Sequence, residues 1–457
     1  MAAFFNHSSM SRRRFLSTSV VTVSALAGAG TMLDACDTSA SSSSGSSNGS
    51  ATKTTLAVMY NPGELTPAHI TEFQKLNPDI KINFLTYDQV RLNAMFAAGT
   101  PPDFVRAAGV TDSPNLAARG LALNLDSYLA KSSVLKVDDL SPVNNAWRWS
   151  GKQGEGSYYG ITKDYSQDGM FWYNAKLFDQ AKVPYPDKTT PLTYDQLLDY
   201  AGKLTTRQGS KILSYGLDAQ WADPAHVIQM VLQQGGTVFS ADFSKVDFTS
   251  AEARKVLQWY VHYGQAHVGP SPLDPNPDGW DGPPFLANRM AMAQYGFWFG
   301  GEISTATNDL PTHIGFAPAP VMGSQRVSDS FSAVGAWIPA NAKNKDAAWR
   351  LMEYFMAGKP AHERAQSGWG LPALKSLQSE IPQAKPYQAQ ALQTQQNEAQ
   401  YLTTLQFSPY IQVTAMQTVI DKYLQQAAKG QISVDGAAQQ ITDGINLLLQ
   451  QGKQQIG

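Results

Sequence analysis

Apolar and polar positions alternate in a way that predicts a regular succession of strands and helices from residue 54 onwards. Residues 54–60 form an apolar run of strand length, and residues 80–84 alternate as a half-buried strand does. Between them, residues 66–77 place apolar side chains on one side of a helix. Thr66 is its predicted cap and Pro67 its first residue, since proline needs no backbone hydrogen bond there.

A second helix and a third strand continue this succession. Asp88 caps a helix predicted to end near Gly99, and a strand starts within residues 102–105. Strand, helix, strand, helix, strand is the order of a parallel α/β sheet. Such sheets bind ligands beyond the carboxyl ends of their strands, so residues 60–64 and the segment after Val105 are expected near a site.

The C-terminal part of the chain is predicted to be mainly helical. Residues 346–355 carry apolar side chains at helical spacing. After about residue 385 the chain is rich in Gln, yet its apolar residues recur at intervals that favour ordinary surface helices. These helices are interrupted at residues 408–409 and at Gly430.

Length and composition indicate a globular protein of two domains. The chain has 457 residues, more than one ordinary core accommodates, and 43% of them are hydrophobic. Lys and Arg number 35 against 37 Asp and Glu, which gives a net charge of -2. This balance argues against a nucleic-acid partner, and no basic amphipathic segment predicts adsorption to a membrane.

The N-terminus predicts export rather than a folded domain. Residues 11–16 form a basic segment, and residues 17–33 follow it without a charge, so together they resemble a twin-arginine signal peptide. Residues 33–36 resemble a lipobox, although Asp34 replaces the small residue usual there. The signal peptide is therefore expected to end at this lipobox, residues 1–36. Cys36 would be lipidated and would anchor the chain to the outer face of the cell membrane.

A polar segment separates this leader from the rest of the chain. Residues 37–52 are rich in Ser, Gly, Asn and Thr and have no large apolar residue, so they are expected to form a flexible tether. Cys36 is the only cysteine in the chain, which excludes a disulfide within it.

The sequence contains no convincing motif for a cofactor or a metal ion. No phosphate loop occurs, and the seven histidines have no zinc-binding spacing. Residues 274–279 resemble the start of a calcium loop, but Phe285 stands where that loop requires a bidentate Glu. We therefore expect no cofactor and no metal.

Carboxylates could serve a glycosidase, but only if two of them meet at a set distance in space. The residues that could supply such a pair are Asp103, Asp164, Asp168 and Glu302. No residue is assigned a catalytic role, and an exported carbohydrate-active enzyme stays open as an alternative.

Aromatic side chains beside turn residues are the most informative candidates for a site. They are Tyr60, Trp221, Trp298, Trp337 and Trp369. Sugars present C–H faces that pack on aromatic rings and hydroxyl groups that hydrogen-bond to carboxylates and amides. Glycines flank Trp298 and Trp369, which favours a site for these two over the core.

Several segments together resemble the extracellular solute-binding proteins of ABC importers, in the branch that includes maltose-binding proteins. The resemblance runs from about residue 54 to the end. Its segments are Phe73–Ile82, Ala97–Asp103, Tyr159–Phe178, Ala291–Trp298, Trp337–Trp349 and Gly370–Ser376. Thr162 stands where the family usually has a proline.

The resemblance implies the periplasmic-binding-protein fold, with two α/β lobes of parallel-rich sheets linked by a hinge. Lobe one would hold residues 53–163 and 322–366, and lobe two residues 164–321 and 367–457. The chain would cross between lobes near residues 162–165 and 316–321. By resemblance, ligand-binding positions fall on Asp164 and Trp298, and further candidates are Tyr60, Glu64, Trp221, Trp337 and Trp369.

The function implied is capture of a small polar solute, a mono- or oligosaccharide, and its delivery to the membrane permease of an ABC importer. A monomer without catalytic activity is expected. Besides an enzyme, binding of a non-sugar solute stays open. Glycerol phosphate would require Arg or Lys in the cleft, and a polyamine several carboxylates.

Overall fold

The computed structural model describes residues 53–209, 211–330 and 332–456. The predicted signal peptide, the tether and the lipidation of Cys36 lie outside these residues. Residues Lys53–Gly457 form one compact unit.

The described chain mixes short strands with helices of up to six turns. The strands are β1 (Thr54–Tyr60), β2 (Ile80–Thr86), β3 (Phe104–Ala108), β4 (Arg148–Trp149), β5 (Ser157–Tyr158), β6 (Ile161–Thr162), β7 (Asp164–Tyr165), β8 (Phe171–Asn174), β9 (Thr206–Gln208), β10 (Lys211–Ser214), β11 (Met292–Ala293), β12 (Ile314–Ala317), β13 (Ser328–Ser330), β14 (Val334–Trp337), β15 (Leu371–Pro372) and β16 (Leu402–Thr404). The α-helices are α1 (Pro67–Leu76), α2 (Gln89–Ala97), α3 (Gly109–Ala118), α4 (Asp126–Leu129), α5 (Ala175–Ala181), α6 (Tyr194–Leu204), α7 (Pro224–Leu232), α8 (Ala251–Ala266), α9 (Gly282–Leu286), α10 (Phe299–Ser304), α11 (Lys345–Ala357), α12 (Lys359–Ser367), α13 (Pro386–Glu398), α14 (Val413–Ala428) and α15 (Val434–Ile456). Short 3₁₀ helices of one or two turns occupy Val137–Asp139, Pro142–Trp147, Leu310–Thr312, Lys375–Glu380 and Ala399–Tyr401.

The first sheet has five strands in the order β2-β1-β3-β14-β6. β1 pairs in parallel with β2 and with β3, which confirms the parallel succession predicted from the pattern. β14 inserts antiparallel beside β3 and β6. Val334 pairs with Ala108, 226 residues earlier, and Gly335 pairs with Thr162, 173 residues earlier, so no local pattern could have revealed this pairing.

Predicted caps set the first two helices. Thr66 accepts a hydrogen bond from the amide of His69, and Pro67 opens α1, which ends at the capping residue Asn77. Asp88 caps α2 by accepting from the amide of Arg91. These caps satisfy amides that have no partner within a helix, and both helices begin where the sequence predicts.

The second sheet is small and antiparallel, with β8 between β11 and β12. Parallel pairing therefore holds for β1–β3 and not for this sheet. A large core beside it joins α6, α7, α8, α14 and α15. A separate core is formed where side chains of the first sheet pack against α1, α11 and α12.

The chain passes between the two sheets twice. It leaves the first sheet after Thr162 and enters the second at Phe171, and it returns between Ala317 and Val334. The architecture is the two-lobed α/β fold expected from the resemblance, and the bounds given for each lobe stay a prediction. None of the described helices combines the length and apolarity needed to cross a membrane.

Candidate functional site

A cavity of about 370 Å³ opens at the carboxyl ends of β1 and β3, the edge of the sheet where a ligand is expected. Segments from both sheets and from α7 and α14 surround it. Its lining residues are Glu64, Arg106, Ala108, Thr111, Lys163, Asp164, Tyr165, Ser166, Asp168, Gln220, Asp223, Ala225, His226, Gln294, Tyr295, Trp298, Ser332, Val334, Trp369, Val413 and Gln417.

Glu64 is the centre of a charged cluster on one wall. It lies in the turn after β1, where the side-chain amide of Asn61 donates to its Oε1 at 3.0 Å. Arg106 Nε, in the middle of β3, donates to the same oxygen at 3.0 Å. Lys163 Nζ lies 3.4 Å from Oε2. Two cations from different parts of the chain, one on β3 and one between β6 and β7, therefore hold one carboxylate in place.

Asp164 extends this cluster to a second carboxylate. Lys163 forms a close ion pair with it, and Arg364 Nε lies 3.9 Å from its Oδ2. The Arg364 side chain also packs on the ring of Phe355 and donates to that residue's carbonyl oxygen at 2.9 Å. Buried charges are stable when they are paired in this way.

The two carboxylates respond differently to their surroundings. Burial favours the neutral form of Glu64, but the charges of Arg106 and Lys163 outweigh it and lower the pKa of Glu64 to about 2. Burial raises the pKa of Asp164, and Lys163 and Arg364 oppose that shift only in part. Glu64 is therefore a permanent acceptor of hydrogen bonds at neutral pH.

Aromatic rings form a second wall. Trp298 and Trp369 lie with ring centroids 5.7 Å apart at an interplanar angle of 48°, and Tyr295 packs edge-on to Trp298 at 5.3 Å. The amide of Trp298 donates to Ser166 Oγ at 2.9 Å, which fixes the start of α10. All three rings remain partly exposed, so their faces are accessible to a ligand.

Two glycines make this wall possible. A Cβ at Gly301 would lie 2.9 Å from the ring of Trp369, so a larger residue would push α10 and Trp369 apart. Gly370 has φ +91°, a conformation that other residues rarely adopt, and it lies against Asp164. The glycine flanks that favoured Trp298 and Trp369 as site residues thus have a packing role.

Polar groups from the second lobe complete the cavity. Asp223 caps α7 by accepting from the amides of Ala225 and His226. Burial opposes its charge, yet His226 and these amides lower the pKa of Asp223. Gln294 Nε2 donates to the carbonyl oxygen of Gly169 at 3.2 Å. Such fixed amides and carboxylates can orient a hydroxylated ligand.

Of the four carboxylates that could have supplied a glycosidase pair, two line the cavity and two do not. Asp164 and Asp168 line the cavity, and Ser332 Oγ donates to Asp168 Oδ2 at 3.0 Å. Asp103 accepts from the amides of Ala57 and Asn344, a structural role, and Glu302 lies outside the cavity lining.

Four of the seven predicted ligand-binding residues come together in this cavity: Glu64, Asp164, Trp298 and Trp369. They lie as far as 305 positions apart in the chain. The two Trp residues favoured by their glycine flanks are among them.

The other three predicted residues lie elsewhere. Tyr60 is fully buried in the first core, and its hydroxyl donates to the carbonyl oxygen of Gly335 at 3.0 Å. Trp337 is also fully buried and stacks on Phe96. Trp221 lines a neighbouring depression and donates to Asp421 at 2.9 Å. Tyr60 and Trp337 sit on strands covered on both sides, which strand position alone could not reveal.

Sequence reasoning missed the cations and several polar groups of the cavity. Arg106 and Lys163 were not among the predicted residues, and neither were Gln220, Asp223 and Gln294. One signal was available for Arg106, because it lies in the segment after Val105 where a strand end was expected. Lys163 is adjacent to Asp164, but nothing in the sequence showed that its side chain turns towards Glu64.

No group of three or more His, Cys, Asp or Glu side chains within the described residues is placed to hold a metal ion. The positive charges beside Glu64 and Asp164 are those of the Arg106, Lys163 and Arg364 side chains.

A two-lobed α/β fold with a charged and aromatic cavity at the strand ends defines a protein that binds a solute. The sequence profile of the bacterial extracellular solute-binding proteins matches residues 59–357. The chain belongs to this family, which confirms the family resemblance read from its segments. Among curated protein sequences, none is significantly similar to this chain.

Solved structures share this fold. An ABC substrate-binding protein from Listeria monocytogenes in complex with cycloalternan is 22% identical, with a TM-score of 0.71 over 86% of this chain and 98% of that one. A solute-binding protein from Thermotoga lettingae bound with alpha-D-tagatose is 20% identical, with a TM-score of 0.72 over 87% and 100%. The maltose/maltodextrin-binding domain from Bdellovibrio bacteriovorus bound to maltotriose is 19% identical, with a TM-score of 0.69 over 88% and 100%.

Proposed function

We propose that this chain binds a mono- or oligosaccharide in the cavity between Glu64 and Trp298 and delivers it to the permease of an ABC importer. The single observation that carries the proposal is the pairing of two accessible indole rings with a wall of fixed hydrogen-bonding groups in one cavity. The similar structures named above hold cycloalternan, tagatose and maltotriose, and their fold is the fold of this chain.

The chemistry of the two walls suits a hydroxylated ring. The faces of Trp298 and Trp369 can pack on the C–H face of a sugar. Glu64 stays ionised and fixed by Arg106, so it can accept hydrogen bonds from hydroxyl groups without changing its protonation. Ring packing and hydrogen bonding are both non-covalent, so the ligand would be bound without any covalent bond being broken.

Binding without catalysis is favoured over glycoside hydrolysis. The lowered pKa of Glu64 makes it a poor proton donor, and Asp164, whose pKa is raised by burial, is paired with Lys163 and Arg364. A glycosidase needs one carboxyl group that is free to donate a proton to the leaving oxygen. The chain also belongs to a family of solute-binding proteins.

A phosphorylated solute is the second candidate, because Arg106 and Lys163 do lie in the cavity. Both cations already face carboxylates, Arg106 at 3.0 Å from Glu64 and Lys163 against both Glu64 and Asp164. A phosphate would have to displace these carboxylates to gain a bidentate pair. Neutral saccharides therefore fit the cluster better than glycerol phosphate does.

The cellular setting belongs to the same proposal. A twin-arginine signal peptide would export the chain, lipidated Cys36 would anchor it, and residues 37–52 would let the folded body move above the outer face of the membrane. A sugar-loaded, closed form would then contact the permease.

The test is a thermal-shift and calorimetric screen of the body from residue 53, which forms one compact unit. A saccharide that binds only the folded state raises its melting temperature. We expect a shift with a saccharide, no shift with glycerol 3-phosphate, and no cleaved product. Cleavage of a bound glycan, or a shift with the phosphate alone, would contradict the proposal.

Trp298→Ala is the matching variant. It removes one ring of the cavity wall, so we expect saccharide affinity to fall about 10- to 100-fold, the usual loss for a buried aromatic contact. Tyr185→Ala is the control, because Tyr185 is an exposed aromatic outside the cavity, at 49% exposure. Equal affinities for the two variants would show that Trp298 does not contact the ligand.

A further inference from the structure

Two aspartate side chains contact each other in the depression that Trp221 lines, next to the cavity. Asp218 is buried, and its carboxyl group is hydrogen-bonded to that of Asp281. Burial, and after it the charge of Asp281, raises the pKa of Asp218, and burial raises the pKa of Asp281. Two carboxylates in such contact cannot both be ionised, so the pair shares one proton.

The pair is connected to the ligand cavity through Gln220 and Tyr295, which line its wall. Asp218 accepts from the main-chain amide of Gln220 at 2.8 Å and from its side-chain amide at 2.6 Å. The hydroxyl of Tyr295 is hydrogen-bonded to both Asp218 and Gln220, and its ring packs on Trp298. Gln220 has φ +50°, a conformation that few residues other than glycine adopt, and its two hydrogen bonds to Asp218 stabilise it there.

Asp281 ends a proline-rich segment, residues 270–281, part of which resembles a calcium loop in sequence. In the described structure this segment contains neither helix nor strand, so side-chain contacts help to fix its position. The side-chain amide of Asn276 donates to Asp281 at 2.5 Å, and Asp281 in turn contacts Asp218. Loss of the shared proton would place two negative charges in contact at the point where the segment meets the wall of the cavity.

Other titratable groups around the pair are accounted for by their own surroundings. Burial raises the pKa of the neighbouring tyrosines, which therefore stay neutral near pH 7, namely Tyr215, Tyr260, Tyr263 and Tyr295. Burial opposes the charge of Asp223, but His226 lowers the pKa of that carboxyl group. Further charged groups have partners of their own, namely Asp274 with His267, Asp278 with Arg289, and Asp421 with Trp221.

We propose that Asp218 and Asp281 are positioning residues for the saccharide, and that the proton they share holds Gln220 and Tyr295 in the orientation that binds it. This inference rests on the proposed function. Gln220 and Tyr295 would touch the saccharide, whereas Asp281 would act through them. Because the binding arrangement holds the proton, affinity falls as the pH rises and the pair ionises.

Calorimetry between pH 5 and pH 9 tests this inference, with whichever of maltotriose, mannotriose and tagatose the natural protein binds most tightly at pH 5. Asp281→Asn keeps the acceptor for Asn276 and offers Asp218 an amide donor at every pH. We expect the affinity of the natural protein, relative to this variant, to fall about tenfold over the range, the effect of one pKa unit. Asp281→Ala has no donor and should bind about tenfold more weakly than Asp281→Asn at pH 5.

Asp195→Asn is the control, because it removes one exposed carboxylate on α6 outside the cavity and should follow the natural protein at every pH. A constant ratio of affinities between the natural protein and Asp281→Asn, or equal affinities of the Asn and Ala variants, would overturn the inference. Affinity at pH 9 that calcium restores would also overturn it, since a cation rather than a proton would then join the pair.

Melting temperatures over the same pH range give a readout that needs no saccharide. The natural protein should lose more stability with rising pH than Asp281→Asn does, because its folded form holds the shared proton. An equal loss in the two proteins would contradict the shared proton. If this difference in stability is found but the folded protein binds no saccharide at any pH, the proposed function fails and the proton pair stands.

Discussion

Ion pairs inside the cavity differ from those on the surface because water screens them less. Glu64 and Lys163 are 10% and 2% exposed at their side chains, whereas Lys152 and Glu155 are 63% and 57% exposed. Removing one partner of a buried pair leaves an uncompensated charge, and removing an exposed partner leaves a charge that water solvates.

Glu64→Gln should therefore lower the free energy of unfolding by about 3 kcal/mol, since Arg106 and Lys163 lose their shared carboxylate. Urea denaturation at neutral pH measures this change. Glu155→Gln breaks a surface pair of similar length, 2.9 Å, and should cost less than about 1 kcal/mol. Losses of equal size in the two variants would show that the cluster contributes no more than a surface pair.

A pH dependence follows from Asp329, which is fully buried on β13 and receives no hydrogen bond at its carboxylate oxygens from the described residues. Burial raises its pKa to about 8. The same group ionises near about pH 4 in an unfolded chain. Between these values the folded protein holds a proton that the unfolded chain has released, so stability falls as pH rises.

Asp329→Asn keeps the shape of the side chain and removes the titration. We expect the unfolding free energy of the natural protein, relative to this variant, to decrease steadily from pH 5 to pH 8. Denaturation curves at several pH values measure this difference. A constant difference across the range would show that Asp329 is not protonated in the folded protein.

At the scale of elements, single polar residues at the N-cap determine where helices begin, and the start of α1 fixes the length of the turn that follows β1. The turn after β1 carries Glu64, and α1 starts directly after it with Thr66 as its cap. Residue identities at the cap were sufficient to predict this start. Trp298 and Trp369 became site residues because α10 begins and α12 ends beside each other, which Gly301 permits.

Thr66→Ala removes the hydroxyl that accepts from the amide of His69. We expect a loss of about 1 kcal/mol in unfolding free energy with little change in saccharide affinity, because the cap does not line the cavity. Thr71→Ala in the same helix is the control, since its hydroxyl is exposed and donates only to the carbonyl oxygen of Pro67. Equal stability of the two variants would contradict a capping role for Thr66.

At the scale of the whole molecule, two sheets with separate cores are joined by the two passages described above and by a third passage between α12 and α13. A ligand held by groups from both sides stabilises an arrangement in which they are close. The folded body contains no cysteine, so pairs of introduced cysteines can carry distance labels.

Labels at Lys81→Cys and Lys203→Cys, one on each predicted lobe, should move closer when saccharide is added. Pulsed electron spin resonance measures their separation. Labels at Lys203→Cys and Lys255→Cys both lie on predicted lobe two and should keep their distance. All three positions are exposed. A fixed distance between the lobes with bound saccharide would contradict closure.

The sequence by itself determined the early strands and helices, their caps, and four residues of the cavity. These depend on side-chain periodicity and on hydrogen bonds within a few residues, so the local chain contains the needed information. Glu64, Asp164, Trp298 and Trp369 were also marked by a resemblance that keeps its order along the chain.

Only the tertiary structure decided the rest. Arg106 and Lys163 meet Glu64 from positions 42 and 99 residues later, and β14 joins a sheet whose first strand lies 280 residues earlier. The side chains of Tyr60 and Trp337 lie in the core because both faces of their sheet are covered. Contacts of this kind arise when distant segments pack together, and no spacing along the chain records which segments will meet.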